Sequence, residues 1–318
     1  MLSTIAVAIV PAFFVMGLGY FAGKDKIVDN RHVQSLNALL MTFALPLSLF
    51  IAMAETPAGR LSSGLYLGLV LTISMLILFA ASIIISRHIF KRSISEAAVQ
   101  ALNAALPNYA SMGLPLLAAV VGPGSVMSVS ISIATGTIFI GPLSLVMLES
   151  QAAGAGSTSP LCRSVMAFLH AIRKPVVIGP VAGVALALTG HPLPILALKT
   201  FDLLGQATAG IALFVTGLVL SARALNLNTN IVMGVVLKNI VHPLLVFGLA
   251  LVFGLKAPEL REAILLAAIP SGFFGILFGL NYGAEFQDTD STLTVSSLVG
   301  VLTLGLAIFL TARMDQPT

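Results

Sequence analysis

The sequence predicts an all-α polytopic membrane protein: ten transmembrane helices, arranged as two inverted repeats of five, with the fourth and ninth helices broken. Three observations predict it. Hydrophobic residues make up 58% of the 318 positions and charged residues only 9%, for a mean hydropathy of +1.04, well outside the range of soluble domains. Apolar runs of spanning length recur ten times. The fourth and ninth of these runs carry a proline at matched positions.

Charge supports the same class. The 16 basic and 12 acidic side chains are too few to coat a soluble globule of this length, and nearly all lie between the apolar runs. In a soluble chain, the formal charge of +4 and pI near 9.4 would suggest a nucleic-acid partner. Here the basic residues report topology, so the expected partner is the lipid bilayer and not nucleic acid. The single cysteine, Cys162, sits in a polar connection without a CxxC or Cys/His cluster and reads as an inert thiol. Neither a metal site nor a cofactor is expected.

In chain order, the first run (3–22) lacks a basic leader and stays apolar for about 20 residues, so it reads as a spanning helix and not a cleaved signal peptide. Runs two to five follow at 33–54, 62–86, 97–120 and 126–148. A Gly/Ala/Ser-rich connection, SQAAGAGSTSPLCRS (Ser150–Ser164), then reads as a linker. Runs six to ten lie at 175–190, 200–221, 229–254, 260–282 and 291–311. One set of alternating loops holds Lys24, Lys26, Arg31, Arg87, Lys91, Arg92, Arg163, Arg173, Lys174 and Arg223; the opposite set holds Arg60, Lys199, Lys256, Arg261 and Arg313. That bias places the first set in the cytoplasm and both termini outside, in a multi-pass membrane protein. The domains expected are a first five-helix repeat at 1–149, a cytoplasmic linker at 150–172 and a second repeat at 173–318. An odd number of spans in the first repeat inverts the second.

The halves share a landmark. Glu96 precedes Pro107 by eleven residues and Glu259 precedes Pro270 by the same interval, in EAAVQALNAALPN and ELREAILLAAIPS. Proline removes a backbone donor and turns the preceding residue from helical geometry. In lipid, each group so freed costs several kcal/mol, roughly, unless protein or water satisfies it. A single such proline reads as a healed kink. Two at corresponding points of inverted halves read as a transporter's binding site, where half-helix N-termini meet an anion.

Three stretches, ALPNYASMGLPLL (Ala105–Leu117), LNALLMTFALPLSLF (Leu36–Phe50) and AAIPSGFFGILFGLNYG (Ala267–Gly283), resemble the auxin efflux carrier family, which includes plant auxin exporters and bacterial carriers of malate and malonate. IALFVTGLVL (Ile211–Leu220) is similar to the family's seventh segment. The resemblance covers nearly the whole chain. It implies that the broken fourth and ninth helices cross near the bilayer midplane. It also implies an elevator-type transport domain (segments three to five and eight to ten) moving against a scaffold (one, two, six and seven), commonly as a dimer. Asn108 matches the crossover asparagine that holds the substrate carboxylate. Its bottom-up reading, an amide that donates to a carboxylate or caps a broken helix, is compatible. Pro107 and Pro270 match the crossover prolines, and Gly113 and Pro115 the MGxP part of the motif. Tyr109, Ser271 and Gly272 flank the breaks as further substrate-site candidates.

MGVVLKNIVHPLLVF places Lys238 and His242 four apart on one helical face, beside Asn239 and Pro243. An intramembrane lysine points to function because its insertion costs about 2.5–3.5 kcal/mol. Lys238 could stand where a coupling ion sits in related carriers, attract the anion, or bind carbonyls freed at the crossover. His242 is either a proton-coupling group or a packed, neutral histidine. LYLGLVLTISMLILFAASIII lacks the acidic residue that plant members carry in the third helix, a departure at the family's carboxylate-based proton switch. The hydroxyl stripes of segments five (Ser128 to Thr137) and ten (Thr292 to Ser297) read first as helix packing. Glu262 reads as a helix-start charge, with a cation site as the alternative.

The function expected is a secondary carrier of a small organic carboxylate, such as an auxin-like acid, malate or malonate. A sodium-coupled, bile-acid-type symporter is the alternative. An intramembrane enzyme is not expected, since GxSxG, HExxH, paired intramembrane aspartates and a phosphate-binding loop are all missing from the sequence.

Overall fold

The computed structural model describes residues 2–55, 64–122, 125–152, 165–166, 169, 173–222, 227–283, 287–312 and 314. Arg60, Cys162, Arg163, Arg223, Arg313 and most of the expected linker lie outside the described residues. The helices are α1 (Leu2–Lys24), α2 (Val33–Ala54), α3 (Leu65–Ile89), α4 (Ile94–Ala105), α5 (Leu114–Val120), α6 (126–152) and α7 (Pro175–Leu188). There follow α8 (Ile195–Gly205), α9 (Ala207–Ser221), α10 (Thr229–Val252), α11 (Glu259–Ala268), α12 (Phe274–Tyr282) and α13 (Gln287–Thr311). Helix is thus found in every expected run, and α6 continues to Ala152, slightly into the stretch expected as linker.

Among the described residues, six helices are long and apolar enough to cross a membrane: Val33–Ala54, Leu65–Ile89, Ser128–Gln151, Ile195–Ser221, Thr229–Val252 and Asp288–Thr311. The sixth run is shorter than expected, a 14-residue helix. The fourth and ninth are each split in two, as α4/α5 and α11/α12. Large apolar side chains point outward, with Phe14 63%, Leu203 80% and Phe309 60% exposed. Such a surface suits hydrocarbon rather than water.

Proline placement explains a recurring local feature. Wider π turns at Leu40–Ala44, Tyr109–Gly113, Gly136–Ile140 and Leu237–Val241 each end two residues before a proline: Pro46, Pro115, Pro142 and Pro243. A proline lacks an N–H and crowds the carbonyl four residues back. In three of these turns the residue before the proline bonds five residues back: Leu45 to Leu40, Gly141 to Gly136 and His242 to Leu237. One extra residue therefore absorbs the clash without opening the helix.

Two helix pairs pack backbone to backbone, α1 along α9 and α7 along the second half of α2. Gly19 and Gly217 permit the first approach, Gly179 and Gly183 the second. A second group is built around the split runs. α4 packs on α3, α6 and α12, while α11 packs on α10 and α13. α4 begins with a reciprocal cap, in which the Ser93 hydroxyl accepts from the Glu96 N–H and the Glu96 carboxylate from the Ser93 N–H. From Ala97 to Ala105 every residue of α4 is buried. Gln100 and Asn103 donate from this helix to the Thr292 hydroxyl and the Thr289 carbonyl of α13.

Candidate functional site

α4 ends at Ala105 because Pro107 forces Leu106 into an extended conformation (φ −108°, ψ 104°), and Pro270 does the same to Ile269 (φ −58°, ψ 133°). The two breaks meet. The Asn108 N–H donates to the Pro270 carbonyl at 2.9 Å, and the Gly272 N–H to the Leu106 carbonyl at 3.0 Å, an antiparallel bridge between Pro107 and Ser271. Gly272 allows it, since a Cβ there would lie 3.0 Å from the Leu106 oxygen and 3.1 Å from that of Pro107. Each break thereby satisfies groups that the other frees.

The π turn of α10 holds both sides of the second break. In an unbroken helix the Ala267 carbonyl would accept from the N–H of Ser271, but that N–H instead donates to Ser296 Oγ at 3.1 Å. Lys238 Nζ takes the vacated carbonyl at 2.7 Å. Its neighbour Asn239 receives the Ser296 hydroxyl at 2.6 Å and donates to the Ser296 carbonyl at 2.8 Å and to Thr303 Oγ1 at 3.2 Å. Of the three roles open to Lys238, the carbonyl-binding one is thus visible as a contact. Ser296, grouped with packing hydroxyls in the sequence reading, relays between Asn239 and the break. Ser296→Ala orphans the Ser271 N–H and the Asn239 carbonyl oxygen, an expected loss of about 1–3 kcal/mol that Ser296→Thr largely restores. Thermal unfolding in detergent checks this, and an unchanged midpoint in the alanine variant would refute the relay.

His242 is fully buried. The Ser74 hydroxyl donates to the Leu71 carbonyl at 2.8 Å, so at 3.4 Å it receives from His242 Nε2, leaving Nδ1 to accept from Lys238 Nζ at 3.2 Å. In these directions Nε2 is the donor and Nδ1 the acceptor. The geometry is that of a packed, hydrogen-bonded histidine.

The candidate ligand groups divide into two kinds. The backbone N–H groups of Asn108, Tyr109, Ser271 and Gly272 are all consumed internally, that of Tyr109 by the Pro107 carbonyl at 2.8 Å. Among the side chains, Asn108 is buried at the bridge, and the buried Tyr109 and Ser271 hydroxyls have no hydrogen-bond partner among the described residues. Gly113 serves packing, with Val129 of α6 3.0 Å from where its Cβ would be. Glu262 lies in the first turn of α11 as expected, yet it is buried, receives the Ser128 hydroxyl, and lines a cavity of about 800 Å³ with Tyr66, Ser125, Lys256 and Glu259.

Other polar contacts were not foreseen. Asp288 receives Arg92, Asn228 and Asn230, joining the starts of α10 and α13 to the loop before α4. Glu149 receives the Tyr282 hydroxyl at 2.5 Å and pairs with Lys174 at 3.0 Å.

A family model described as "Membrane transport protein" matches residues 4–308. The chain belongs to that family, the auxin efflux carriers. Among its relatives, the "Uncharacterized transporter YfdV" of Escherichia coli (strain K12) is 29% identical over 305 residues, 95% of this chain and 96% of that one. The "Putative malonate transporter" of Rhizobium meliloti (strain 1021) is 25% identical over 305 residues, 95% and 94% of the two chains. An uncharacterized transporter of Methanocaldococcus jannaschii is 21% identical over 294 residues, 91% and 93% of the two chains. The protein is therefore a multi-pass membrane transporter.

Proposed function

We propose that this auxin efflux carrier protein is an elevator-type secondary carrier of a small organic carboxylate, with malonate as the first substrate to test. In this reading it has ten spans in two inverted repeats and broken, crossing fourth and ninth helices. The chain works in the bacterial inner membrane, with both termini outside, as a homodimer. α1, α2, α7, α8 and α9 form the scaffold; α3 to α6 and α10 to α13 form the moving part. The anion sits where the breaks meet, held by the Asn108 amide and by the Ser271 and Tyr109 hydroxyls. Gly272, Pro107, Pro270 and Gly113 shape that site, and Lys238, Asn239 and His242 support it.

The observation that supports this reading best is the bridge between Pro107 and Ser271, with buried Asn108 beside it and two buried hydroxyls that have no partner among the described residues. A buried hydroxyl without a partner carries a desolvation penalty of about 1–3 kcal/mol, which a bound carboxylate would remove. The name of the Rhizobium meliloti relative suggests malonate, and a short acid also fits a chain without tryptophan.

The test uses proteoliposomes loaded with malonate, malate or indole-3-acetate, under imposed proton or sodium gradients. Asn108→Ala is expected to remove binding and uptake of the transported acid, a loss of at least about tenfold for one charge-assisted hydrogen bond, while elution and melting stay close to those of the parent. Unchanged affinity in Asn108→Ala would refute the site. The gradient that drives uptake identifies the coupling ion.

A further inference from the structure

A group of polar contacts joins the two proposed parts around Lys174. Lys174, the residue before α7, pairs with Glu149 of α6 at 3.0 Å and lies 5.6 Å from the centre of the Tyr282 ring at the end of α12. The Tyr282 hydroxyl donates to the same Glu149 oxygen at 2.5 Å. Two amides of α2 reach carbonyls of α12: Gln34 Nε2 donates to Leu280 at 3.0 Å and Asn37 Nδ2 to Leu277 at 3.0 Å. α12 terminates at Gly283, which adopts φ 59° and whose N–H also donates to the Leu280 carbonyl, at 3.5 Å, so Gln34 adds a second donor in the last turn. The Lys174, Gln34 and Asn37 contacts join α2 or α7 on one side to α6 or α12 on the other, and the Tyr282–Glu149 bond ties α12 to α6 within the moving part.

We propose that Lys174, Glu149 and Tyr282, with Gln34 and Asn37, form a latch that seals the path to the paired breaks from the Lys174 face and must open for the bound anion to leave there. The inference rests on the division into scaffold and moving part proposed above. Three features suit the role. α12 continues directly from the second break, so a group that holds its end also holds Ser271 and Gly272 in place. The ion pair is partly open to solvent, with the Lys174 side chain 39% exposed and that of Glu149 13%, so water can replace each partner on opening. The remaining contacts are single hydrogen bonds to carbonyls of α12, which exchange for water with little net change.

The test does not need the substrate's identity. Cys162, the single cysteine, is replaced by serine, and Ser271→Cys supplies a thiol at the breaks in place of a hydroxyl with no partner to lose. Its reaction with a membrane-impermeant maleimide is timed in vesicles of each orientation. Glu149→Gln and Lys174→Met are each expected to raise the labelling rate from the Lys174 face about twofold to fivefold, the population shift that such a pair supplies. Lys174→Arg should return it to the parent value. Rates unchanged in both variants would overturn the latch, whatever uptake does. A raised rate in a protein that moves no acid of the panel would establish the latch and refute the assigned substrate class instead.

Discussion

Lys238→Met is expected to reduce uptake by about a hundredfold, the order that a misplacement of about 1 Å produces at a reacting centre, in a protein that still assembles and elutes normally. Lys238 is fully buried and bonded to the Ala267 carbonyl and to His242 Nδ1, and its amine pairs with no carboxylate among the described residues. Methionine fills similar volume and removes the penalty of burying an amine, which favours the fold. It also orphans the Ala267 oxygen and His242 Nδ1, at about 1–3 kcal/mol each. These effects oppose one another, so net stability moves little. Function has no such compensation, because Ala267 stands three residues before Pro270 and its carbonyl is one of the two points by which α10 holds the break.

Lys238→Ala separates the two quantities. It leaves the same orphans and adds a cavity, so it should melt below the methionine variant by about 1–3 kcal/mol while losing a similar amount of uptake. Wild-type uptake in Lys238→Met, measured by radiolabel entry at matched incorporation, would show that the lysine contact is dispensable to the site.

The breaks were legible because proline acts through its own missing N–H, a property of one residue that needs no partner. The π turn carrying Lys238 and Asn239 was not read from the sequence, although Pro243 stands two residues beyond it. The partners of those residues were not legible. Ser296 lies 57 positions from Asn239 and 25 from Ser271, and along α13 it is one hydroxyl among several, most of which bond back to their own helix as Thr292 and Thr294 do. Glu262 was read as a helix-start charge from its position, which is right; its burial comes from Ser128, on another helix. Lys174 entered the sequence reading as a topology charge, and only the fold brings Glu149 and Tyr282 to it. Charge bias reports which loops share a face, but not which side chains within that face meet.

Gly217→Val is expected to prevent accumulation of folded protein. A Cβ at Gly217 would lie 1.8 Å from the Met16 carbonyl oxygen and 2.8 Å from the Tyr20 nitrogen. Both are backbone atoms of α1, so no rotamer change relieves the overlap and the helices must separate. On the opposite helix, a Cβ at Gly19 would lie 2.0 Å from the Phe214 oxygen, so the seam is tight from both sides. Between helices in lipid, association draws on close packing and not on hydrophobic gain, and overpacking costs about 1–3 kcal/mol even where a core can adjust. A rigid backbone seam adjusts less, and even Gly217→Ala should lower the melting temperature. Gly210, earlier on α9, is the internal control, since a Cβ there meets nothing within 4 Å and alanine should raise helix propensity at no steric cost. The measurement is the monodisperse fraction by size-exclusion chromatography of fluorescent fusions. A Gly217→Val profile equal to the parent would mean that the two helices part without consequence, and α1 with α9 could not then be the fixed frame against which the proposed moving part travels.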